Sequence, residues 1–173
     1  RRLVGPVVGR LLYNLSPEGV GPAQLHGHTM YLASHGSYPP LDMAMARYEP
    51  GTTRLFQENI KPGMVVIDIG AHVGYYTLLA AERVGPTGTV YAFEPDQSNY
   101  GLLRQNIELN GYQNVVATKI ALSNQVGRCE LYLTALDSGR NSLYHSGLPE
   151  RGAATIETTT VDAFLESEGR PRV

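Results

Sequence analysis

The clearest pattern of apolar and polar positions begins after residue 62. A short apolar run over residues 64–69 predicts a strand that is buried on both faces. Residues 75–84 predict a helix that ends at Gly85-Pro86, since glycine accepts left-handed dihedrals and proline cannot continue the helical hydrogen bonds. A second apolar strand over residues 89–93 follows. Strand and helix therefore alternate, as in a βαβ unit.

The alternation continues through the middle of the chain. After Glu94-Pro95, either Asp96 or Ser98 can cap a helix that carries Tyr100, Leu103 and Ile107 on one face and closes at Asn110-Gly111. Residues 115–122 predict a third strand. The order β-α-β-α-β requires right-handed crossovers and a parallel sheet, so the predicted fold class is α/β and Rossmann-like.

The two ends of the chain are less regular. Residues 1–62 predict an irregular N-terminal segment with short strands and helices near 41–48 and 52–60, the latter capped by Thr52 or Thr53. Beyond 122, the predicted elements are a half-exposed strand at 128–133, a polar loop at 134–154, a strand at 155–160 and a helix at 162–168. The predicted organisation is an N-terminal segment, 1–62, before an α/β domain, 63–173.

Composition narrows the classes of partner. The chain is 42% hydrophobic and 17% charged with a net charge of -2, which does not favour nucleic acid as a partner. No apolar run reaches the ~18–20 residues of a membrane span. The single cysteine, Cys129, fits a reducing, cytoplasmic setting and cannot form an internal disulfide. His26 and His28 alone are weak support for a metal site, and none is predicted.

The residues that indicate chemistry lie at the ends of the first two strands. Asp68, Gly70 and Gly74 form an Asp-x-Gly-x-x-x-Gly loop, and Glu94 follows Gly74 by 20 residues. Glycines at a strand-to-helix turn let a ligand approach the backbone. An acid at the tip of the second strand can accept hydrogen bonds from both hydroxyls of a ribose. This arrangement predicts a nucleoside site.

The glycine spacing separates two classes of nucleoside cofactor. Dinucleotide-binding loops have the pattern G-x-G-x-x-G, whose middle glycine makes room for a pyrophosphate. This loop has G-x-x-x-G and an acid, Asp68, at the end of its strand. S-adenosylmethionine has no phosphate, so the loop favours this sulfonium cofactor and argues against an NAD-dependent oxidoreductase.

Several blocks in order resemble the FkbM family of class I S-adenosylmethionine-dependent methyltransferases. They are V-V-I-D-I-G-A-H-V-G-Y-Y-T-L-L-A-A, then V-Y-A-F-E-P-D, then L-L-R-Q-N-I-E-L-N-G, then I-A-L-S-N-Q-V-G. The resemblance runs from about Tyr48 to the end of the chain. It implies a sheet of order 3-2-1-4-5 whose fourth strand would follow Val173, so the domain looks incomplete at the C-terminus and the gene product is expected to be longer.

The resemblance also implies which residues contact the cofactor. Those near the methionine portion would be Gly70, Ala71 and Gly74, with Tyr75, Tyr76 and Thr77 beside them. Glu94 would hold the ribose. The adenine would lie against Pro95, Asp96, Ala121, Leu122 and Ser123, and Glu49, beside Tyr48, would cover the cofactor. Asp68 would orient the loop and the amino acid moiety of the cofactor. His72, where the family more often has asparagine, would stabilise the loop or, less favoured, take part in catalysis.

The reaction implied is transfer of the sulfonium methyl to an acceptor oxygen, mainly by alignment of the reacting groups. The expected acceptor is a hydroxyl of a small molecule, sugar or other glycan, and no residue is assigned as general base. Arg140-Asn141-Ser142-Leu143 is equally well interpreted as a substrate contact or a surface loop. Three alternatives stay open: methylation of nitrogen or RNA, a non-catalytic S-adenosylmethionine-binding partner domain, and the disfavoured oxidoreductase. A homodimer is also left open.

Overall fold

The computed structural model describes residues 22–32, 48–135, 138–169 and 173. The predicted helix near 41–48 lies almost entirely outside these residues. The described elements are a parallel sheet with the helices that connect its strands, an antiparallel ribbon, and an N-terminal hairpin that packs on a helix. The fold class is α/β, as the alternating pattern predicted.

A three-stranded parallel sheet forms the centre of the fold. Its strands are β3 (Val65–Ile69), β4 (Thr89–Phe93) and β5 (Val115–Thr118), and β4 lies in the middle, with Ile67 opposite Tyr91 and Phe93 opposite Thr118. This order is the 3-2-1 half of a Rossmann-like methyltransferase sheet, as predicted. Helices α2 (Tyr75–Val84) and α3 (Gln97–Leu109) connect the strands.

The expected burial of β3 on both faces was wrong. Its residues are half-buried, and Ile69 is 59% exposed. The reason is the position of β3, which pairs with β4 on one side and has no partner on its other side among the described residues. An edge strand keeps part of its apolar surface in contact with solvent.

The expected third strand over 115–122 is two strands in two sheets. After β5 the chain turns at Lys119-Ile120, and β6 (Ala121–Leu122) pairs with β8 (Glu150–Thr159) in parallel, with Ala121 opposite Thr158. The apolar pattern continues through the turn, which is why the pattern alone does not reveal the change of partner.

An antiparallel ribbon follows, formed by β7 (Gly127–Thr134) and β8. The expected polar loop at 134–154 is shorter than predicted, because β8 begins at Glu150 rather than at Thr155. A short 3-10 turn, Ser138–Arg140, lies between the two strands. Helix α4 (Val161–Ser167) comes next, and its Phe164 packs edge-on against Tyr91 and Phe93, which fastens it to the parallel sheet.

The N-terminal segment supplies a hairpin and a helix. Strands β1 (Pro22–Leu25) and β2 (His28–Tyr31) pair antiparallel, and helix α1 (Pro50–Asn59) begins two residues before the predicted start. The earlier start is explained by Pro50, since proline suits the first helical turn. Thr53 is not a cap; its hydroxyl donates to the Tyr48 carbonyl at 3.1 Å.

Asn106 of α3 and Asn110, which caps the C-terminus of that helix, fasten the hairpin to the core. Asn106, fully buried, accepts from the Tyr31 N–H at 2.7 Å and donates to the carbonyls of Tyr31 at 3.0 Å and Val73 at 2.8 Å. Asn110 makes the same pair of bonds with the backbone of Thr29. The side-chain amides act as a partner strand, which brings apolar residues of the hairpin into one cluster with α2, α3 and the glycine loop.

Candidate functional site

The loop after β3 is anchored to the end of β4. The N–H groups of Gly70 and Ala71 both donate to the Phe93 carbonyl at 2.9 Å. Gly70 has a φ of +76°, and a Cβ added there would meet nothing within 4 Å. The space above Gly70 is therefore open, and a ligand could lie directly on the backbone.

Gly74 has a different role in the same loop. Its φ is +96°, and an added Cβ would lie 2.8 Å from Cδ1 of Leu103 on α3. Gly74 is buried and begins α2, so its lack of a side chain permits close packing of two helices. The missing side chain at Gly70 leaves space for a ligand, whereas the missing side chain at Gly74 lets α2 and α3 pack closely.

Glu94 lies at the carboxyl end of β4 and faces this loop. Only 5% of the residue is exposed. Its Oε2 accepts from the His72 N–H at 2.8 Å, and its Oε1 accepts from the Asp96 N–H at 2.9 Å and from the Asn99 amide at 3.5 Å. Burial raises the pKa of the Glu94 carboxyl, while these donors oppose the rise.

The hydrogen bonds of Glu94 leave room for a ligand. An ionised carboxylate has about four acceptor positions, and three are in use here. Oε2 takes a single protein donor and can accept another hydrogen bond. The remaining acceptor capacity of Glu94 thus fits a ligand that donates hydrogen bonds from hydroxyl groups beside the open backbone of Gly70.

Asp68 is turned toward α2 rather than toward the open space. Its Oδ2 accepts from the Thr77 hydroxyl at 2.5 Å, and burial raises the pKa of the Asp68 carboxyl. This hydrogen bond joins the end of β3 to the first turn of α2. Asp68 and Thr77 therefore hold the shape of the loop.

Glu49 is held beside the loop by the tyrosines that begin α2. The Tyr76 hydroxyl donates to Oε2 of Glu49 at 2.9 Å, and burial raises the pKa of Tyr76 to about 12. Glu49 has a left-handed backbone, with φ of +40°, immediately before α1. A strained conformation held by a specific side-chain contact is typical of functional segments.

Tyr75, which packs against Tyr48, is held by Thr53 and His26, and the sequence did not indicate these two contacts. The Tyr75 hydroxyl lies 3.1 Å from Thr53 Oγ1 and 3.1 Å from His26 Nε2. The Tyr48 ring packs edge-on against Tyr75, with centroids 5.1 Å apart. His26 and His28, which were considered for metal binding, both contact tyrosine hydroxyls. His26 contacts that of Tyr75, and Nε2 of His28 lies 2.6 Å from that of Tyr112. No spacing rule pairs a histidine with a tyrosine so far along the chain.

His72 links the glycine loop to the segment between β7 and β8. It has a φ of +52°, and its Nε2 lies 2.8 Å from the Ser138 hydroxyl. Ser138 begins the 3-10 turn that leads to Arg140 and Asn141. Asn141 accepts from the Thr134 N–H at 3.0 Å, so the turn is fastened at both ends. This geometry agrees with a loop-stabilising role for His72.

The remaining predicted residues lie along the ends of β4 and β6. Pro95 and Asp96 follow Glu94, and Asp96 caps α3 by accepting from the N–H groups of Ser98 and Asn99, both at 2.9 Å. Ala121 is buried, Leu122 is half-buried, and the Ser123 N–H donates to the Thr159 carbonyl at 2.8 Å. These last three are thus positioned by β8.

In the described ranges, no helix is long and apolar enough to cross a membrane. The same residues contain no group of three or more histidine, cysteine, aspartate or glutamate side chains that could hold a metal ion.

Comparison with known proteins identifies the class. The family described as the methyltransferase FkbM domain matches residues 68–173, which is more than half of the chain. The match begins at Asp68 of the glycine loop and includes Glu94, the ribbon and α4. The chain therefore belongs to the FkbM methyltransferase family, whose members use S-adenosylmethionine as cofactor.

Individual curated relatives match about a third of this chain. A protein-L-isoaspartate O-methyltransferase of Aeropyrum pernix is 47% identical over 58 residues, which are 32% of this chain and 22% of that enzyme. The enzyme of that name from Methanothrix thermoacetophila is 37% identical over 57 residues, 33% of this chain and 27% of its own length. The chain thus spans about a quarter of the length of these curated relatives.

Solved structures of methyltransferases are similar over about half of the chain. A SAM-dependent O-methyltransferase from Thermotoga maritima is 20% identical with a TM-score of 0.40, covering 51% of this chain and 36% of that one. A SAM-dependent methyltransferase from Aquifex aeolicus is 24% identical with a TM-score of 0.38, covering 49% and 44%.

Proposed function

We propose that this chain is the cofactor-binding part of an S-adenosylmethionine-dependent O-methyltransferase that acts on a hydroxyl of a small molecule or glycan. The observation that carries the proposal is the pairing of Glu94 with Gly70: a buried carboxylate with remaining acceptor capacity lies beside an open stretch of backbone. Family membership supports the cofactor, and the absence of a basic excess in the sequence argues against an RNA acceptor.

Each predicted residue has a proposed role in this function. Glu94 would accept from the ribose hydroxyls, and Gly70 and Ala71 would lie under the methionine portion. Gly74, Tyr75, Tyr76, Thr77, Asp68 and His72 would keep the loop in shape. Glu49 would cover the cofactor, and its carboxylate would attract the α-ammonium group of the methionine portion. The adenine would lie against Pro95, Asp96, Ala121, Leu122 and Ser123.

The protein's own contribution to the reaction is alignment. When bound, the cofactor supplies an electrophilic methyl group on sulfonium. Backbone groups of the glycine loop and the two carboxylates, Glu94 and Glu49, would hold both ends of the cofactor so that the methyl faces the acceptor. Closure by the Tyr48-Glu49 segment would exclude water from the site. We further propose that this takes place in the cytoplasm, as the reducing setting inferred from the single cysteine suggests.

A second candidate is methylation of a protein carboxyl group. The names of the curated relatives favour it, since both are protein-L-isoaspartate O-methyltransferases. The similarity covers about a quarter of those enzymes, so the acceptor is a separate question from the cofactor. Assays with small-molecule hydroxyls and with isoaspartyl peptides, both using the full-length protein, would separate the two.

Calorimetric titration of this chain with S-adenosylhomocysteine tests the cofactor site. Replacing Glu94 by alanine removes a charged acceptor from the ribose hydroxyls, which should weaken binding by about 1.5–3 kcal/mol, or roughly 10- to 150-fold. Glu94→Gln keeps the size and one acceptor oxygen, so its loss should be intermediate.

The matched control is Glu108→Gln, on the exposed face of α3, where Glu108 forms an ion pair with Arg104. It should leave the affinity unchanged. Equal binding by wild type and Glu94→Ala would contradict the proposed site. Binding without methyl transfer to any acceptor by the full-length protein would instead favour a non-catalytic partner domain.

A further inference from the structure

A large groove lies outside the glycine loop, between the start of α3 and one face of the β7–β8 ribbon. Its volume is about 840 Å³, in the range of small-molecule sites. Pro95 and Asp96, which are proposed to contact the adenine, also line this groove. The opposite wall is formed by the ribbon.

The wall of the groove on the ribbon is apolar. Leu131 lies opposite Ala154 in the antiparallel register, and Leu133 and Ile156 are two residues further along their strands, on the same face. All four line the groove. Leu131 is buried and the other three are half-buried, so this strip offers apolar surface to whatever enters.

The rim of the groove carries three cations. Lys119, Arg128 and Arg151 all line it and are exposed. Arg128 lies 3.6 Å from Glu157, whereas Lys119 donates to the neutral amide oxygen of Gln97 at 2.6 Å. Within the described part of the chain, neither Lys119 nor Arg151 forms an ion pair.

Two carboxylates also line the groove, and both have partners. Asp96 accepts from two N–H groups at the start of α3, and Glu157 pairs with Arg128. Three cations against two carboxylates leave a positive excess in a chain whose net charge is -2. Because Lys119 and Arg151 have no carboxylate of their own, an anion is the ligand that would complete the rim.

We propose that this groove binds a small organic anion with an apolar body, such as an alkyl phosphate, sulfate or carboxylate. The charged group would lie between Lys119 and Arg151, and the apolar body would cover the strip formed by Leu131, Leu133, Ala154 and Ile156. The site is distinct from the glycine loop and does not require the cofactor. Since both sites include Pro95 and Asp96, a ligand in the groove lies directly beside the proposed adenine site.

Calorimetric titration of this chain with monomeric decyl phosphate, without cofactor, tests the proposal. Saturable binding is expected, and the double variant Lys119→Met and Arg151→Met should weaken it about tenfold, the loss expected when charged contacts to one anion are removed. Inorganic phosphate should bind at least about tenfold more weakly than decyl phosphate, because it leaves the apolar strip uncovered.

A double variant of two arginines outside the groove serves as the control. Arg54 and Arg104 are exposed, lie outside the groove and pair with glutamates within their own helices. Arg54→Met with Arg104→Met changes the net charge equally and should leave binding of decyl phosphate unchanged. Circular dichroism of both double variants confirms that folding is intact.

Three results would overturn the proposal: no saturable binding of decyl phosphate, equal weakening in the groove and control variants, or equal affinity for inorganic phosphate. Vesicles that contain phosphatidic acid provide a further arm. Sedimentation with these vesicles through Lys119 and Arg151, without binding of the monomer, would assign the cations to a membrane surface and reject the small-molecule site.

Discussion

The parallel sheet and the antiparallel ribbon differ in what holds them together. In the parallel sheet, Val90 and Ala92 are fully buried under α2 and α3, and the helices that cover them come from the adjacent stretches of chain. In the ribbon, Leu131 is the most buried apolar residue, and one face borders the groove. The comparison teaches that the first region is built for a packed interior and the second for a surface that receives a ligand.

The largest expected difference concerns truncation of a leucine in each region. Leu78 on α2 is fully buried, so Leu78→Ala removes packed methyl groups and leaves a cavity, at a cost of about 3 kcal/mol in the free energy of unfolding. Leu133→Ala on the ribbon should cost less than about 1.5 kcal/mol, because Leu133 is half-buried. Urea unfolding measures both, and equal losses would contradict the comparison.

A smaller difference is expected for glycine substitutions. A Cβ added at Gly88, before β4, would lie 2.5 Å from the Met64 carbonyl oxygen, so Gly88→Ala should lower the free energy of unfolding by about 2–3 kcal/mol. At Gly152 of the ribbon there is space for a Cβ, and only its φ of +140° is unfavourable. Gly152→Ala should therefore cost about 1 kcal/mol.

Chemical denaturation of both variants would measure these losses in the free energy of unfolding. If Gly152→Ala were the more damaging of the two, the ribbon would be the more tightly packed region. Gly101→Ala, in the middle of α3 and with nothing near an added Cβ, is a control that should be neutral or slightly stabilising.

The smallest expected effect is a pH dependence of the free energy of unfolding that comes from His28 in the N-terminal hairpin. Burial lowers the pKa of His28, against the opposing influence of Glu82, and its ring faces Tyr112 and lies near His26. In the unfolded chain His28 takes up a proton near pH 6.5, whereas in the folded chain it does so at lower pH. Stability should therefore fall as the pH drops below about 6.5.

Urea titrations at several pH values between 7.5 and 5.5 should show that His28→Gln loses part of the acid destabilisation seen in the wild-type chain. An unchanged pH profile in His28→Gln would show that the hairpin tolerates a charged His28.

The same two regions differ in how well the sequence predicted them. Helix α2 and strand β4 have the predicted bounds, and the Asp96 cap was one of two that were considered. These elements obey local rules: an apolar period, a capping side chain and a Gly-Pro stop. The strands of the ribbon were predicted too short, because Glu150-Arg151-Gly152 has little tendency to form a strand and is extended only through pairing with β7.

The candidate site divides in a similar way. The Asp68, Gly70 and Glu94 constellation could be predicted because parallel strands place their carboxyl ends at one edge of the sheet. The different roles of Gly70 and Gly74 could not, since only the position of Leu103 makes Gly74 a packing residue. The contacts of His72 with Ser138 and of Tyr75 with His26 join residues 66 and 49 positions apart, and no local pattern encodes them.

From the order of its residues, the chain can be assigned an α/β fold and a place in its family, and a nucleoside-binding loop can be predicted, because periodicity and short motifs depend on neighbours along the chain. Tertiary structure alone decided that residues 115–122 divide between two sheets, that the N-terminal hairpin packs on α3, and that Lys119 and Arg151 meet an apolar strip across a groove. Those arrangements depend on packing between distant segments, where many partners satisfy the same local pattern and only the assembled core selects one.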